Sequence, residues 1–247
     1  MGALSVFLRV KVLKSDYVTQ GPTTPEFEKQ ISKKVNAKYS CAVNSATSAL
    51  HISCLALGIG KDDIVWTSPV SFVASSNCAI YCGATVDFVD IDKTSYNICV
   101  HKLEKKLIKA DRIGKLPKAV IAVHLSGQSC NMKAINKLSK KYNFKIIEDA
   151  SHSLGAKYKN QKVGNCKWSD ITVFSFHPVK IITTGEGGAL ILKKKYFNYC
   201  KSIRSFGYDV SDPNKRKIPG NYNVNNLGLN YRISEIESII GISQLQD

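Results

Sequence analysis

The chain has 247 residues, 44% of them hydrophobic and 22% charged, with a formal net charge of +16. That length buries a substantial core, the composition is that of a globular protein rather than a disordered one, and no apolar run approaches the roughly 20 residues of a spanning helix. The positive charge raises nucleic acid or an anionic surface as partners, but the lysines (Lys33, Lys34, Lys105, Lys106, Lys140, Lys141, Lys193 to Lys195) are spread along the chain. A solvated lysine-rich surface is the expectation, and a nucleic-acid role ranks last.

Eight cysteines occur, with no CxxC pair among them. Cys54, Cys78, Cys82 and Cys99 sit in apolar segments without the His or Cys partners of a zinc site. Buried free thiols in a reducing compartment, and no metal, are expected. The opening MGALSVFLRV lacks the basic start and cleavage site of a secretory signal. Val6 breaks the myristoylation pattern, so a cytoplasmic location is expected.

Taken in order, Met1 to Val10 is unassigned, and SDYVTQGPTTPEFEKQI reads as a loop entering a helix. Thr24 is the expected N-cap there, with Pro25 at the first helical position and an end near Lys34. KYSCAV is a strand. NSATSALHISCLALGIG is a largely buried helix stopping near Gly58, with small polar residues (Asn44, Ser45, Thr47, Ser48) at its start. Such an N-terminus binds anions, and simple N-capping is the plainer alternative. Strand DDIVWT, helix SFVASSNCAIYCG and strand TVDFVDI follow. Next come a helix from Val100 to Ala110, strand PKAVIAVH, a helix from Met132 to Tyr142, and strand FKIIED. This alternation predicts an α/β fold, a mostly parallel sheet with helices on both faces. Ligands in such sheets bind beyond the carboxyl ends of the strands.

Two of those ends carry chemistry. Phe72 follows one strand at a helix start, and Glu148 and Asp149 end another. A buried carboxylate needs a cation, supplied by a ligand or by a structural ion pair. His152, three residues on, would hydrogen-bond or stack beside such a ligand, or serve structure. YKNQKV reads as a hairpin turning at Asn160 and Gln161.

In ITVFSFHPVKIITTGEGGALIL, two short apolar strands bracket a connection with a single lysine, Lys180. Burial disfavours the ammonium form, which makes a lysine amine a nucleophile for carbonyls. Snorkelling to water is the alternative. Ser175 precedes it, and Gly185, Gly187 and Gly188 let backbone approach a ligand. Further on, KKKYFNYCKSIRSFG is a surface helix and residues 209 to 223 are a loop. In the stretch that follows, Ser234 caps a helix with Glu237 three residues later.

FSFHPVK followed by TTGEGGA, with NSATSAL, PVSFVAS, SHSLGAKYKNQKVG and NYRISEIESIIGISQL in order, resembles the DegT/DnrJ/EryC1/StrS sugar aminotransferases that use pyridoxal 5'-phosphate (PLP). The resemblance covers Asp16 to Asp247. It implies the PLP-dependent transferase fold (aspartate aminotransferase-like, fold type I), with residues 1 to 247 as the PLP-binding large domain. Family chains run on into a smaller C-terminal domain, so the chain is expected to stop short of it. By the same resemblance Lys180 holds PLP as a Schiff base and moves the proton. Asp149 pairs with the pyridine nitrogen, Phe72 packs on the ring, and Thr47 and Ser48 contact the phosphate. Ser175 and His152 complete the cofactor set, Asn230 reaches the phosphate of the neighbouring subunit in a homodimer, and Arg232 follows it. Glu148 has no assigned role. The motifs are most similar to the branch that aminates a UDP-linked 4-keto-6-deoxy sugar in pseudaminic acid biosynthesis, with glutamate as donor. Its alternative is a truncated PLP-fold protein that binds cofactor without turnover. A dehydratase of the family would carry histidine in place of Lys180.

Overall fold

The computed structural model describes residues 10–210 and 222–246, and the alternation of strand and helix carries through them. Helix α1 (Thr23–Lys34) leads into β1 (Ser40–Val43) and α2 (Ala46–Ala56), followed by β2 (Ile64–Thr67), α3 (Ala74–Ile80) and β3 (Thr85–Phe88). Next come α4 (Val100–Arg112), β4 (Ala119–Val123), α5 (Met132–Tyr142) and β5 (Lys145–Asp149). A hairpin of β6 (Lys157–Tyr158) and β7 (Gln161–Lys162) precedes β8 (Ile171–Ser175) and β9 (Gly188–Leu192), then α6 (Lys194–Ile203) and α7 (Glu235–Gln246).

Among the described residues one seven-stranded sheet has the order β1-β9-β8-β5-β4-β2-β3. Neighbours from β8 to β3 are parallel, whereas β9 is antiparallel to both β8 and β1. The connection from Ser175 to Gly188 contains no helix, so it turns straight back at the same sheet edge instead of crossing over.

Side chains alternate across a strand, and that alternation sorts the core into layers. Val43, Ile121, Ile147, Val173 and Leu190 face α2, α3 and α6. On the opposite face Ala42, Phe174 and Ile191 meet α1 and α7, while Val120, Ala122 and Ile146 meet α4 and α5. Helices therefore cover both faces. The lysine pairs of α1 and α5, and Lys193 to Lys195, are exposed. Lys106 is half-buried, its ammonium 4.9 Å from the Trp66 ring centroid and 2.6 Å from Asp87. All eight cysteines are free thiols, with Cys82 and Cys99 partly exposed. No helix among the described residues is long and apolar enough to cross a membrane.

Local expectations differ from the structure in three places. Helix α1 begins at Thr23 with Pro22 at the cap and no side-chain cap of its own. Its first N–H groups are satisfied instead by Glu235 of α7, which accepts from Thr23 N at 2.6 Å, Thr24 N at 3.0 Å and Thr24 Oγ1 at 2.6 Å. The β6–β7 hairpin pairs Tyr158 with Gln161, so its turn is Lys159-Asn160, both at positive φ (47° and 59°); Gln161 belongs to the strand. Helix α3 is shorter than the SFVASSNCAIYCG run. The loop expected over 209 to 223 lies mainly outside the described residues, as does most of Met1 to Val10, though Asp209 N–H donates to Asn223 O at 2.9 Å where the flanks meet. The expected Ser234 cap is present with its reciprocal Glu237 contacts.

Candidate active site

A cavity of about 370 Å³ opens at the carboxyl ends of the parallel strands. Three chain segments build its floor. The β1–α2 turn supplies Ser45, Ala46 and Thr47, the end of β5 supplies Asp149 and His152, and the β8–β9 connection supplies Lys180. Gly188 lets these segments converge, because a Cβ there would lie 2.5 Å from Ala46 N.

The N-terminus of α2 borders the cavity, with Ser45, Ala46 and Thr47 lining it. Ser45 caps it by accepting from Ser48 N at 3.1 Å. Ser48 is buried, and its hydroxyl donates to Asn44 Oδ1 at 2.7 Å; Thr47, not Ser48, lines the cavity. The Asn44 backbone N–H donates to Tyr231 O at 3.0 Å, tying this turn to the C-terminal NYR stretch.

Alternation separates the two carboxylates that end β5. Asp149 pairs in register with Val173, so it lies on the α2 face with Ser175, two residues beyond Val173. It is 6% exposed and accepts from Ser75 Oγ at 2.6 Å and from Ser151 Oγ and N at 2.6 and 3.2 Å. Those donors are neutral, which leaves a buried carboxylate at the cavity wall suited to a ligand cation. Neither Ser75, whose hydroxyl also contacts Ser71 at 2.7 Å, nor Ser151 stands out in the sequence. Their only signal is the density of serine in SFVASS and DASHS.

Glu148 points the other way. It receives Thr172 Oγ1 at 3.2 Å and Ser169 Oγ, and lies 2.8 Å from His124 Nε2. Burial works against its charge, but these hydrogen bonds, led by His124, hold its pKa below the ordinary value. The Cys130 N lies 3.2 Å from His124 Nδ1 and the His124 Nε2–H donates to Glu148. Burial works against a charged ring, but the contacts with Cys130 and Glu148 push its pKa up to about 10. This pair is a structural element of the α4–α5 face.

Lys180 Nζ lies 2.8 Å from His152 Nε2. His152 Nδ1 accepts from Ser126 N at 3.2 Å. Burial first, then Lys180, hold the His152 pKa below its ordinary value against the pull of Asp149. Ser175 is buried and its Oγ accepts from His177 N at 3.4 Å. Phe72, 75% exposed, stands at the cavity rim just before α3. Asn230 is exposed, bridges to Ser205 and does not line this cavity. Arg232 packs over the Phe206 ring at 4.8 Å. Among the described residues, no group of three or more His, Cys, Asp or Glu is placed to hold a metal.

The fold is that of the PLP-dependent aminotransferases, among them a Streptococcus pneumoniae putative sugar aminotransferase solved in its PLP form, at a TM-score of 0.85 and 25% identity over 100% of this chain and 64% of its own. 3-Amino-5-hydroxybenzoic acid synthase matches the whole chain at a TM-score of 0.88 and 24% identity, a likeness of fold alone. Within that class the chain belongs to the DegT/DnrJ/EryC1/StrS aminotransferase family, whose sequence pattern matches residues 8–247. The UDP-4-amino-4,6-dideoxy-N-acetyl-beta-L-altrosamine transaminase of Campylobacter jejuni is 42% identical over 238 residues, 96% of this chain and 60% of that protein. Helicobacter pylori PseC, described as an aminotransferase involved in the biosynthesis of pseudoaminic acid, has a TM-score of 0.87 at 33% identity, over 100% of this chain and 63% of its own. The chain thus spans about 60% of the length of such curated relatives.

Proposed function

We propose that the chain is the cofactor-binding large domain of a sugar-nucleotide aminotransferase that uses pyridoxal 5'-phosphate. The observation that carries this reading is the convergence of Lys180, Asp149 and the α2 N-terminus in one cavity. The residues fit the cofactor. A buried carboxylate with neutral donors suits a pyridinium, a helix N-terminus suits a phosphate, and a cavity of this size suits a small ligand. When bound, pyridoxal phosphate supplies a carbonyl for amines and an electron sink for the carbanion beside them.

The chain's own groups do the rest. Asp149, held by Ser75 and Ser151, would pair with the ring nitrogen and hold its proton. Thr47 and the α2 amides, with Ser175, bind the phosphate. Phe72 and His152, both lining the cavity, would pack against the bound ring. Lys180 would be the residue that holds the cofactor and the base that moves a proton. Asn230 serves the phosphate of a neighbouring subunit in a homodimer. The relatives' names support the substrate class, a UDP-linked 4-keto-6-deoxy sugar aminated at C4; we take the amino donor to be glutamate and the location to be the cytoplasm.

Titrating the purified chain with pyridoxal phosphate tests this. An absorbance band near the visible edge should appear, and borohydride should fix the cofactor to the peptide holding Lys180. Recovery of the label on any other lysine would refute the assignment.

A further inference from the structure

Asn97 belongs to none of the motifs, yet it is 4% exposed and both ends of its amide are used. Leu125 N–H donates to its Oδ1 at 3.0 Å, and its Nδ2 donates to Gln128 O at 2.9 Å. The amide therefore spans the turn that follows β4. That turn is strained: Ser126 has φ 52° and ψ 24°, a left-handed conformation costing a non-glycine residue on the order of 1 kcal/mol or more. Its neighbour Gly127 has φ 89°, and a Cβ there would lie 2.8 Å from His152 O. Held in this shape, the turn aims Ser126 N–H at His152 Nδ1, 3.2 Å away.

A neutral imidazole has one lone pair and one N–H. Ser126 occupies the lone pair at Nδ1, so the ring proton is on Nε2, which lies 2.8 Å from Lys180 Nζ. If Lys180 donated to Nε2 instead, the proton on Nδ1 would face the Ser126 N–H, donor against donor. A doubly protonated ring would also lose the Ser126 contact, and burial, the first cause of its lowered pKa, disfavours that form. Both contacts coexist only when Nε2–H donates to the lone pair of the lysine amine.

We propose that Asn97 is a positioning residue: by clamping the 125–128 turn it fixes His152 as the Nε2–H tautomer, which presents that N–H to the Lys180 side-chain nitrogen and orients it in the cavity. The functional consequence rests on the reading of Lys180 as the reacting amine.

The test is a long-range ¹H–¹⁵N correlation spectrum of the ¹⁵N-labelled full chain without added cofactor. His152→Gln identifies the His152 signals among the five histidines. At neutral pH His152 should show an unprotonated Nδ1 and a protonated Nε2. In Asn97→Ala with an unchanged far-ultraviolet circular dichroism spectrum, the two nitrogen shifts should move toward each other as the tautomers average. Asn97→Asp, which keeps the acceptor for Leu125 and loses the donor to Gln128, should do the same and replaces the alanine variant if that does not fold. A proton on Nδ1 in the parent protein overturns the proposal without any variant. An unchanged tautomer in a folded Asn97 variant overturns the role of Asn97. Failure of the cofactor reading is seen separately, as absence of a Lys180-dependent absorbance band with pyridoxal phosphate, a signal independent of the His152 spectrum.

Discussion

Asp149 and Glu148 are adjacent in sequence and opposite in role, and the reason is the two-residue period of a strand. Asp149 faces the cavity with neutral serine donors around it, whereas Glu148 is spent on His124 and Thr172. Asp149→Asn preserves shape and most of the serine contacts but removes the charge that would hold a ring proton. The variant should fold and bind cofactor, while the half-reaction with glutamate slows by orders of magnitude. Single-turnover absorbance measurements read this directly, and a parent-like rate would remove Asp149 from the chemistry.

Among the elements, α1 and α7 depend on each other. Glu235 caps α1 across more than 200 residues of sequence, and Thr24 Oγ1 lies 2.9 Å from Ser238 Oγ. The two helices approach closely at Gly241, where a Cβ would meet Phe27 Cζ at 2.3 Å and Thr184 Cγ2 at 2.8 Å. Helix propensity alone would make Gly241→Ala stabilising by about 0.5–1 kcal/mol. Overpacking against a fully buried ring should reverse the sign, costing about 1–3 kcal/mol. A lowered denaturant midpoint at unchanged slope is the expected result. A raised midpoint would mean that the helices separate without penalty.

For the whole molecule, the exposed apolar side chains include Phe72 and Val179, both lining the cavity, and Leu227, three residues before Asn230. Leu229 and Tyr231 are anchored by backbone hydrogen bonds to Ile203 and Arg204, so the Asn230 side chain between them is presented on a fixed backbone. If it serves a neighbour's phosphate, cofactor occupancy and association are linked, since a ligand bound only by the assembled state stabilises it. Sedimentation at several concentrations, read beside cofactor occupancy, should show the two rising together. Asn230→Ala should weaken both. A monomer that holds pyridoxal phosphate as tightly as the dimer would show that Asn230 acts elsewhere.

Periodicity and punctuation in the chain were enough for the α/β alternation, for helix α5 to the residue, and for the paired strands around Lys180, because these follow from local hydrophobic patterning and turn residues. Motif order was enough to place Thr47, Asp149, His152 and Lys180 together. Distance along the chain hid the rest. The cap on α1 comes from Glu235, the hold on Asp149 from Ser75, and the clamp on the 125–128 turn from Asn97, each a contact between segments that no local window joins. The turn of Ser48 away from the cavity and the antiparallel return of β9 were likewise decided only in the folded chain, where the Ser48 hydroxyl is taken by Asn44 and β9 inserts between β8 and β1. Strand alternation sets Glu148 opposite Asp149, but only the packing of helices on each face decides which of the two meets the cavity.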